Sequence, residues 1–278
     1  MTDVPPSDDA LVAAARAGER PAIEALLQRY QARVFGFGLR MCGDSEDAKD
    51  VLQDTLLAAS RTVGDFRGEA SVSTWLYTIA RSFCIKRRRR SKFAPADNLA
   101  FDPESPVVPS SVAGPDELAA RGEVRRALAI ALEELDPASR EVLILRDMEG
   151  LTAPEVATVT GVSVDAVKSR LHRARATVRA RLVAALGDAT PPRAPGCPDV
   201  LTAFSRQLEG DLEPRLCAEL QKHVEGCASC QVTCDSLKRT LAVCASAPPG
   251  PVPVAVGDAV RAAVRSALRS GDGPAGRG

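Results

Sequence analysis

The densest group of residues able to do chemistry lies near the carboxyl end of the chain. Six of the eight cysteines fall between Cys197 and Cys244. Cys197 and the segment His223-x-x-x-Cys227-x-x-Cys230 supply three thiols and one imidazole, a donor set that suits a tetrahedral Zn²⁺ ion. A Cys-x-x-Cys pair brings two thiolates to one metal, and His223 precedes that pair by about one helical turn. The sequence therefore predicts a metal site formed by Cys197, His223, Cys227 and Cys230.

Three further cysteines exceed what one such site needs. Cys234 lies one helical turn after Cys230 and is an additional candidate ligand. Cys217 and Cys244 are either additional ligands or small apolar residues of a core. On one continuous helix Cys244 would lie about 21 Å from Cys230, too far to share its metal. Because a thiol-rich site favours soft ions, Cd²⁺ and copper are alternatives to Zn²⁺.

Composition indicates a helical, soluble protein. The chain has 278 residues, of which 45% are hydrophobic and only 4% aromatic, so its cores must consist of Leu, Val, Ile and Ala. That mixture favours helices over a sandwich of strands. No apolar run approaches the roughly 20 residues of a membrane span, and residues 1–9 lack the features of a signal peptide. We expect an all-α cytoplasmic protein, whose reducing surroundings make metal or redox chemistry the natural use of clustered cysteines.

No enzyme motif competes with this interpretation. The sequence has no Gly-rich phosphate loop and no Gly-x-Ser-x-Gly motif. Its two histidines, His172 and His223, do not lie near a candidate nucleophile. We expect no catalytic activity and assign no catalytic residue.

Apolar periodicity and prolines divide the chain into three blocks. Apolar residues recur at helical spacing in the first two blocks, and proline-rich linkers follow each of them. The predicted divisions are helical blocks at 8–92 and 116–186, linkers at 93–115 and 187–196, a cysteine-rich block at 197–247 and a tail at 248–278. The tail contains a candidate helix at 258–270, which either docks on another block or remains a loose basic segment.

The formal net charge of zero hides two basic runs that contain no acidic residue. Such runs bind a phosphate backbone by releasing its counterions, although a solvated surface is the alternative. Each run lies at the end of a helical block, which favours nucleic acid as the partner. The runs are Arg81, Lys86, Arg87, Arg88, Arg89, Arg90 and Lys92, and Lys168, Arg170, Arg173, Arg175, Arg179 and Arg181.

The segment 151–174 has the pattern of a helix-turn-helix. Thr152 can cap a short helix, Gly161 supplies the turn, and Ser163 can cap a second helix that enters the major groove. An ordinary helical hairpin is the alternative. The predicted buried stripe of the second helix is Val164, Val167, Leu171 and Ala174. The predicted DNA-binding positions are Ser163, Asp165, Lys168, Ser169, His172 and Arg173.

Three longer motifs resemble extracytoplasmic-function (ECF, group 4) sigma factors of the sigma-70 family. Asp47-Ala-Lys-Asp-Val-Leu-Gln-Asp-Thr-Leu resembles the region 2 helix that docks on the polymerase clamp. Phe66-Arg-Gly-Glu-Ala-Ser-Val-Ser-Thr-Trp-Leu-Tyr-Thr-Ile-Ala-Arg resembles the loop and helix that open and read the −10 element. Leu135-Asp-Pro-Ala-Ser-Arg-Glu-Val-Leu-Ile-Leu-Arg and the helix-turn-helix resemble the region 4 reader of the −35 element.

The resemblance implies core RNA polymerase and promoter DNA as partners. It places Asp47, Asp50, Gln53 and Asp54 on the polar face that meets polymerase. For the −10 element it implies Trp75, Arg81, Lys86, Arg87 and Arg88, with Trp75 either anchoring the loop in the core or stacking on a base. Ser82 stands where the family usually has Asn, so the −10 preference cannot be carried over.

The cysteine-rich block resembles the zinc-binding anti-sigma domain and the tails of metal-responsive sigma factors. The resemblance implies a domain that regulates its own sigma factor through metal, and the absence of a cysteine from the linker 93–115 weakens the case for copper. A thiol redox switch and a structural zinc module for protein binding remain alternatives, as do a polymerase-independent repressor and a metal buffer. The sequence leaves open the promoter, the inducing ion, the sign of the response and the existence of a separate anti-sigma factor.

Overall fold

The computed structural model describes residues 5–91, 115–188 and 195–270, and within these ranges it contains α-helices and no strand, so the all-α prediction is confirmed. The chain divides into two compact units, Met1–Val107 with Pro248–Gly278 and Val108–Ala247. The helices are α1 (Asp8–Arg16), α2 (Arg20–Cys42), α3 (Ser45–Thr62), α4 (Val72–Ser91), α5 (Pro115–Glu134), α6 (Pro137–Leu143), α7 (Ala153–Thr160), α8 (Val164–Ala185), α9 (Val200–Leu208), α10 (Pro214–Gly226), α11 (Ala228–Ser246) and α12 (Val254–Arg269).

The first unit is a bundle in which α2, α3 and α4 pack on one another. Gly43 ends α2 with a left-handed φ of 73°, and Asp44 caps α3 by accepting a hydrogen bond from the Asp47 amide. These residues set a sharp turn between two long helices, as expected for an αL C-cap followed by an Asp N-cap. Its buried side chains include Leu26, Val34, Phe37, Val51, Leu52, Leu56, Leu76 and Tyr77.

The buried stripe of α4 differs from the one that apolar spacing predicts, which is Leu76, Ile79, Ala80 and Phe83. Leu76 and Ala80 are buried, but Tyr77 and Cys84 replace Ile79 and Phe83, which are only half-buried. The Tyr77 ring packs against Phe37 of α2 with centroids 5.3 Å apart. Because an aromatic pair buries a large area, this contact rotates α4 about its axis relative to the prediction.

The tail returns to the first unit as α12. This helix begins at Val254, four residues before the predicted start, and packs on α2 and α3. Its apolar face is buried there, and Arg265 donates to Glu24 of α2 at 2.8 Å. The buried residues are Gly257, Val260, Val264 and Leu268.

The second unit contains the predicted helix-turn-helix. Thr152 and Glu155 form a capping box at the start of α7, and Gly161 ends it with a φ of 70°. Ser163 then caps α8 by accepting from the Ala166 amide. Val167, Leu171 and Ala174 are buried as predicted, and the stripe continues to Val178 and Leu182, whereas Val164 is only half-buried.

The cysteine-rich block belongs to the same unit as the helix-turn-helix. Helices α9 and α11 both pack on α8, and α10 packs on α11. Residues 93–114 of the predicted linker 93–115 and residues 189–194 of the second linker lie outside the described residues. In the part of the chain that is described, no helix has the length and apolarity to cross a membrane.

Candidate metal centre and nucleic-acid interface

The four predicted ligands come together in one cluster. The ligand atoms of Cys197, His223, Cys227 and Cys230 all lie within 4.8 Å of one another. The Cys197 and Cys227 Sγ atoms are 3.7 Å apart, and His223 Nε2 lies 3.3 Å from Cys230 Sγ. Cys197 precedes α9, and His223 lies in the last turn of α10. Cys227 is the residue immediately before α11, and Cys230 lies in the first turn of that helix. Three separate segments therefore contribute to the cluster.

The cluster has the dimensions of a tetrahedral zinc site. With Zn–S bonds of 2.3 Å and Zn–N bonds of about 2.05 Å, tetrahedral geometry places two sulfurs about 3.8 Å apart and a sulfur and a nitrogen about 3.6 Å apart. The S···S distance of 3.7 Å and the N···S distance of 3.3 Å lie close to these values. The residues present therefore fit a structural metal, and their thiol-rich donor set also suits Cd²⁺ and Cu(I).

The two thiols of the Cys-x-x-Cys pair have opposite electrostatic surroundings. Hydrogen bonds from the Cys230 backbone and from Cys197 lower the pKa of Cys227. Burial and the neighbouring thiols raise the pKa of Cys230 to about 12. Because a metal binds the thiolate, Cys227 is the thiol best prepared for the first bond.

The other three candidate cysteines lie outside this cluster. Cys234 is buried one turn further along α11, where burial raises its pKa. Cys244 is buried near the end of the same unbroken helix, and Cys217 is half-buried on α10. A separate cluster of ligands around them is not found among the described residues.

The predicted DNA-reading face of α8 is only partly exposed. Ser163, Asp165, Ser169 and Arg173 are exposed. Lys168 is paired with Asp211, which follows α9. His172, predicted to face outward, is half-buried, and its Nε2 atom is buried without a hydrogen-bond partner. The cysteine-rich block therefore occupies part of the surface that the sequence assigns to DNA.

A buried ionic cluster holds α9 against α8. Arg175 donates to both carboxylate oxygens of Asp147, at 2.8 and 2.6 Å, and to Glu209 at 2.7 Å. It also donates to the Ser205 hydroxyl of α9 at 2.9 Å. The side chains of Arg175 and Glu209 are each only 2% exposed. Arg146 donates to the other Glu209 oxygen at 3.1 Å, so two guanidinium groups hold one carboxylate.

The basic run of α8 is buried only in part, since Arg173 and Arg181 are exposed. Arg175 and Arg179 are both buried. Arg179 donates to the Ser236 hydroxyl of α11, and Arg239 of α11 pairs with Asp188, which follows α8. Asp147 lies 28 residues from Arg175 and Ser236 lies 57 residues from Arg179, so the charge pattern alone does not reveal these partners.

In the first unit, an arginine of α4 lies against the predicted polymerase-binding face of α3. Arg87 of the first basic run pairs with Asp50 and lies 3.4 Å from Asp54 and 3.9 Å from Asp47. Gln53 on the same helix is exposed. One arginine predicted to follow DNA therefore neutralises carboxylates predicted to meet polymerase.

The other residues predicted to act at the −10 element lie on or before α4. The Trp75 ring packs on Phe66 with centroids 5.0 Å apart, and the side chain is half-buried, which accords with an anchoring role. Lys86 is exposed, and Arg81 and Arg88 are half-buried. The side chains of Arg89 and Arg90, and Lys92, lie outside the described residues.

Sequence reasoning missed the residues that join the blocks. Glu209, Asp211 and Ser236 carry no motif, and only Gly210 between the two acids signals a turn. Gly36 is likewise unmarked, although a Cβ added there would lie 2.2 Å from the carbonyl oxygen of Pro249. These positions depend on contacts between distant parts of the chain.

Comparisons with known proteins agree with these observations. Family models described as "Sigma-70 region 2", "Sigma-70, region 4" and "Putative zinc-finger" match residues 26–93, 125–178 and 197–231. The ECF RNA polymerase sigma factor SigM of Mycobacterium tuberculosis is 36% identical over 64% of this chain and 85% of its own length. The RNA polymerase sigma factor NccH of Alcaligenes xylosoxydans is 36% identical over 66% of this chain and 97% of its own. The sigma-H factor of Pseudomonas aeruginosa is 30% identical over 62% and 91%.

Proposed function

We propose that this chain, which belongs to the ECF sigma factors of the sigma-70 family, is regulated in cis by its metal-binding cysteine-rich domain. Sigma factors are transcription initiation factors rather than enzymes, and they direct core RNA polymerase to promoters. SigM and NccH match this chain over most of their own length but over only about two thirds of this chain. Regions 2 and 4 therefore account for the sequence that this chain shares with them. The additional cysteine-rich block needs a separate explanation.

One observation carries the proposal: the block that holds the metal cluster lies on the helix-turn-helix. Lys168 is paired with Asp211, and His172 is half-buried beside the same turn. The Asp211 carboxylate competes with a DNA phosphate for Lys168, and burial reduces the access of DNA to His172. The docked arrangement is therefore the inactive one.

The position of the ligands supports coupling between metal and docking. The residues that contact α8 lie on α9, on the turn after it and on α11, whereas the metal ligands lie at the ends of these helices. A bound Zn²⁺ supplies a cross-link between the segment before α9, the end of α10 and the start of α11. Since α9 is short, we expect its position to depend on the bond between the metal and Cys197. Loss of the metal then shifts the population toward a released domain.

The tail supports regulation of region 2 as well. Helix α12 packs on α2 and α3. Leu27 and Gln31 of α2 and Leu56 of α3 line one pocket together with Val260 and Val264 of α12. Helix α3 is also the helix whose polar face is predicted to meet polymerase. We therefore propose that α12 and the cysteine-rich domain restrain the two sigma regions together.

The test is co-elution of the full chain with bacterial core RNA polymerase, before and after removal of metal by a chelator. The Zn²⁺-loaded chain should bind polymerase weakly, and the chelated chain should bind it more tightly. C227S/C230S should bind tightly in both conditions, whereas C217S, which alters a cysteine outside the cluster, should respond like the unmodified chain. An unchanged metal response in C227S/C230S would contradict the proposed ligands.

A thiol switch is the second candidate function. The 3.7 Å separation of the Cys197 and Cys227 sulfurs and the lowered pKa of Cys227 favour it. Oxidation by hydrogen peroxide would join the two thiols in a disulfide and release the metal. The thiols lose two electrons and two protons, and the O–O bond breaks as the peroxide takes them up to give two water molecules. Polymerase binding that follows added peroxide and ignores the chelator would favour this candidate over metal gating.

A further inference from the structure

The turn after α9 presents two carboxylates to the helix-turn-helix. Gly210, with a left-handed φ of 70°, separates Glu209 from Asp211. Glu209 accepts from Arg175 at 2.7 Å and from Arg146 at 3.1 Å, and Asp211 accepts from Lys168. We name Glu209, Gly210 and Asp211 the acidic turn.

The contacts of the acidic turn differ in burial. Glu209 is almost fully buried, whereas Lys168 and Asp211 keep 18% and 30% of their side chains exposed. A buried, doubly paired carboxylate is difficult to displace, but a half-exposed pair exchanges partners readily. Glu209 is therefore the anchor, and Asp211 is the group that competes at the surface.

His172 lies close enough to the acidic turn that the charges of Asp211 and Glu209 act on its imidazole. Its Nε2 atom is buried with no hydrogen-bond partner. A buried polar group without a partner costs free energy that a fully adapted core would avoid. The arrangement around His172 therefore carries a free-energy cost.

We propose that the acidic turn mimics the phosphate backbone of DNA. It neutralises Lys168 and Arg146, and a DNA phosphate must replace it before the helix-turn-helix binds DNA. Arg175 has a different role, since it remains paired with Asp147 when the turn leaves. This inference rests on the proposed function, in which the helix-turn-helix binds DNA and the cysteine-rich domain restrains it.

The salt dependence of DNA binding distinguishes a phosphate mimic from a simple contact. Each cation that binds a phosphate releases counterions, and log K falls with log[salt] at a slope of about −0.9 per phosphate neutralised. In the unmodified chain the acidic turn keeps Lys168 and Arg146 from neutralising two phosphates, which therefore retain their condensed counterions. Removing both carboxylates should therefore steepen the slope by about 2.

The experiment measures fluorescence anisotropy of a labelled duplex of arbitrary sequence with the Zn²⁺-loaded full chain at 50 to 200 mM salt. E209Q/D211N should bind more tightly at 50 mM, and over the salt range it should lose about tenfold more affinity than the unmodified chain. The matched control is E219Q/D235N, which removes the same two charges from carboxylates whose partners, Arg215 and Lys238, lie on their own helices. It should keep the original slope.

The outcomes separate this inference from the proposed function. If E209Q/D211N and E219Q/D235N give the same affinity and slope, the acidic turn is not a phosphate mimic. Zinc content is measured in each variant, because loss of zinc from E209Q/D211N with an unchanged slope would also overturn the inference. If the chelator changes polymerase binding but E209Q/D211N does not change DNA binding, only the inference is wrong. If E209Q/D211N changes DNA binding but the chelator does not change polymerase binding, only the metal gating is wrong.

Discussion

The carboxyl-terminal part of the chain engages the two sigma regions with different chemistry. On region 4 the contacts are ionic, and the most buried of them joins Arg175 to Glu209 and Asp147. On region 2 the buried contacts are apolar, through Val260, Val264 and Leu268 of α12, and the ion pair of Arg265 with Glu24 lies at the surface. The ionic contacts respond to charge and pH, whereas the apolar contacts depend on shape. Under the proposed function we therefore expect signals to act on region 4 and α12 to provide a constitutive restraint.

The largest expected effect is the loss of the buried arginine. R175A leaves the Asp147 and Glu209 carboxylates buried without their main partner, which costs about 3–5 kcal/mol. Urea unfolding of the second unit should show this loss. R181A is the control, because Arg181 is half-exposed in its pair with Glu134 and should cost no more than about 1 kcal/mol. An equal loss of unfolding free energy in R175A and R181A would contradict the greater stabilisation that we assign to the buried Arg175 cluster.

The apolar interface should respond to shape at Gly36. In G36A the added Cβ would lie 2.2 Å from the Pro249 carbonyl oxygen, so the chain leading to α12 must move. Such overpacking costs about 1–3 kcal/mol, although alanine favours the helix α2 itself. Hydrogen exchange should show faster opening of α12 and unchanged protection of α2.

The control for this variant is G122A. Gly122 also lies within a helix, but a Cβ there would have no neighbour within 4 Å. Protection of α12 that stays the same in both variants would contradict the close approach of Pro249 to α2.

The smallest expected effect is a pH dependence through His172. Burial lowers the pKa of His172, and Arg175 on its own helix and Arg206 on α9 lower it further, against the opposing charges of Asp211 and Glu209. Since the folded pKa lies below the unfolded value of 6.5, the unfolded state binds more protons. Stability is therefore retained above pH 6.5 and lost as the pH falls from 6.5 toward the lowered pKa.

The check is urea unfolding of the unmodified chain and of H172Q between pH 5.5 and 7.5. The difference between the two free energies of unfolding should shrink as the pH falls, because only the unmodified chain loses the neutral histidine. A difference that stays constant across this range would show that His172 does not titrate in the docked state.

Local patterns predicted the helices and most of the Cys and His cluster, because their causes lie within a few residues. Thr152, Gly161 and Ser163 act through caps and a turn, and His223-x-x-x-Cys227-x-x-Cys230 acts through helical spacing. Patterns of this kind identify a helix-turn-helix and a cluster of ligands without knowledge of tertiary contacts.

The partners of the charged residues could not be predicted in the same way. Arg175, Arg179 and Lys168 look like one solvated basic stripe, but each has a partner more than 25 residues away, at Asp147, Ser236 and Asp211 respectively. An α-helix carries several faces, and only the fold decides which of them is covered. The same limit applies to Gly36, whose role depends on Pro249 far along the chain.

The most direct test of the account is hydrogen exchange of the full chain with and without a zinc chelator. If the metal cluster holds the acidic turn on the helix-turn-helix, removal of zinc should strip protection from α9 and α10 while α6 and α7 keep theirs. Mass spectrometry of the intact protein confirms that the zinc has left. Unchanged protection of α9 after complete loss of zinc would contradict the claim that metal binding controls docking on region 4.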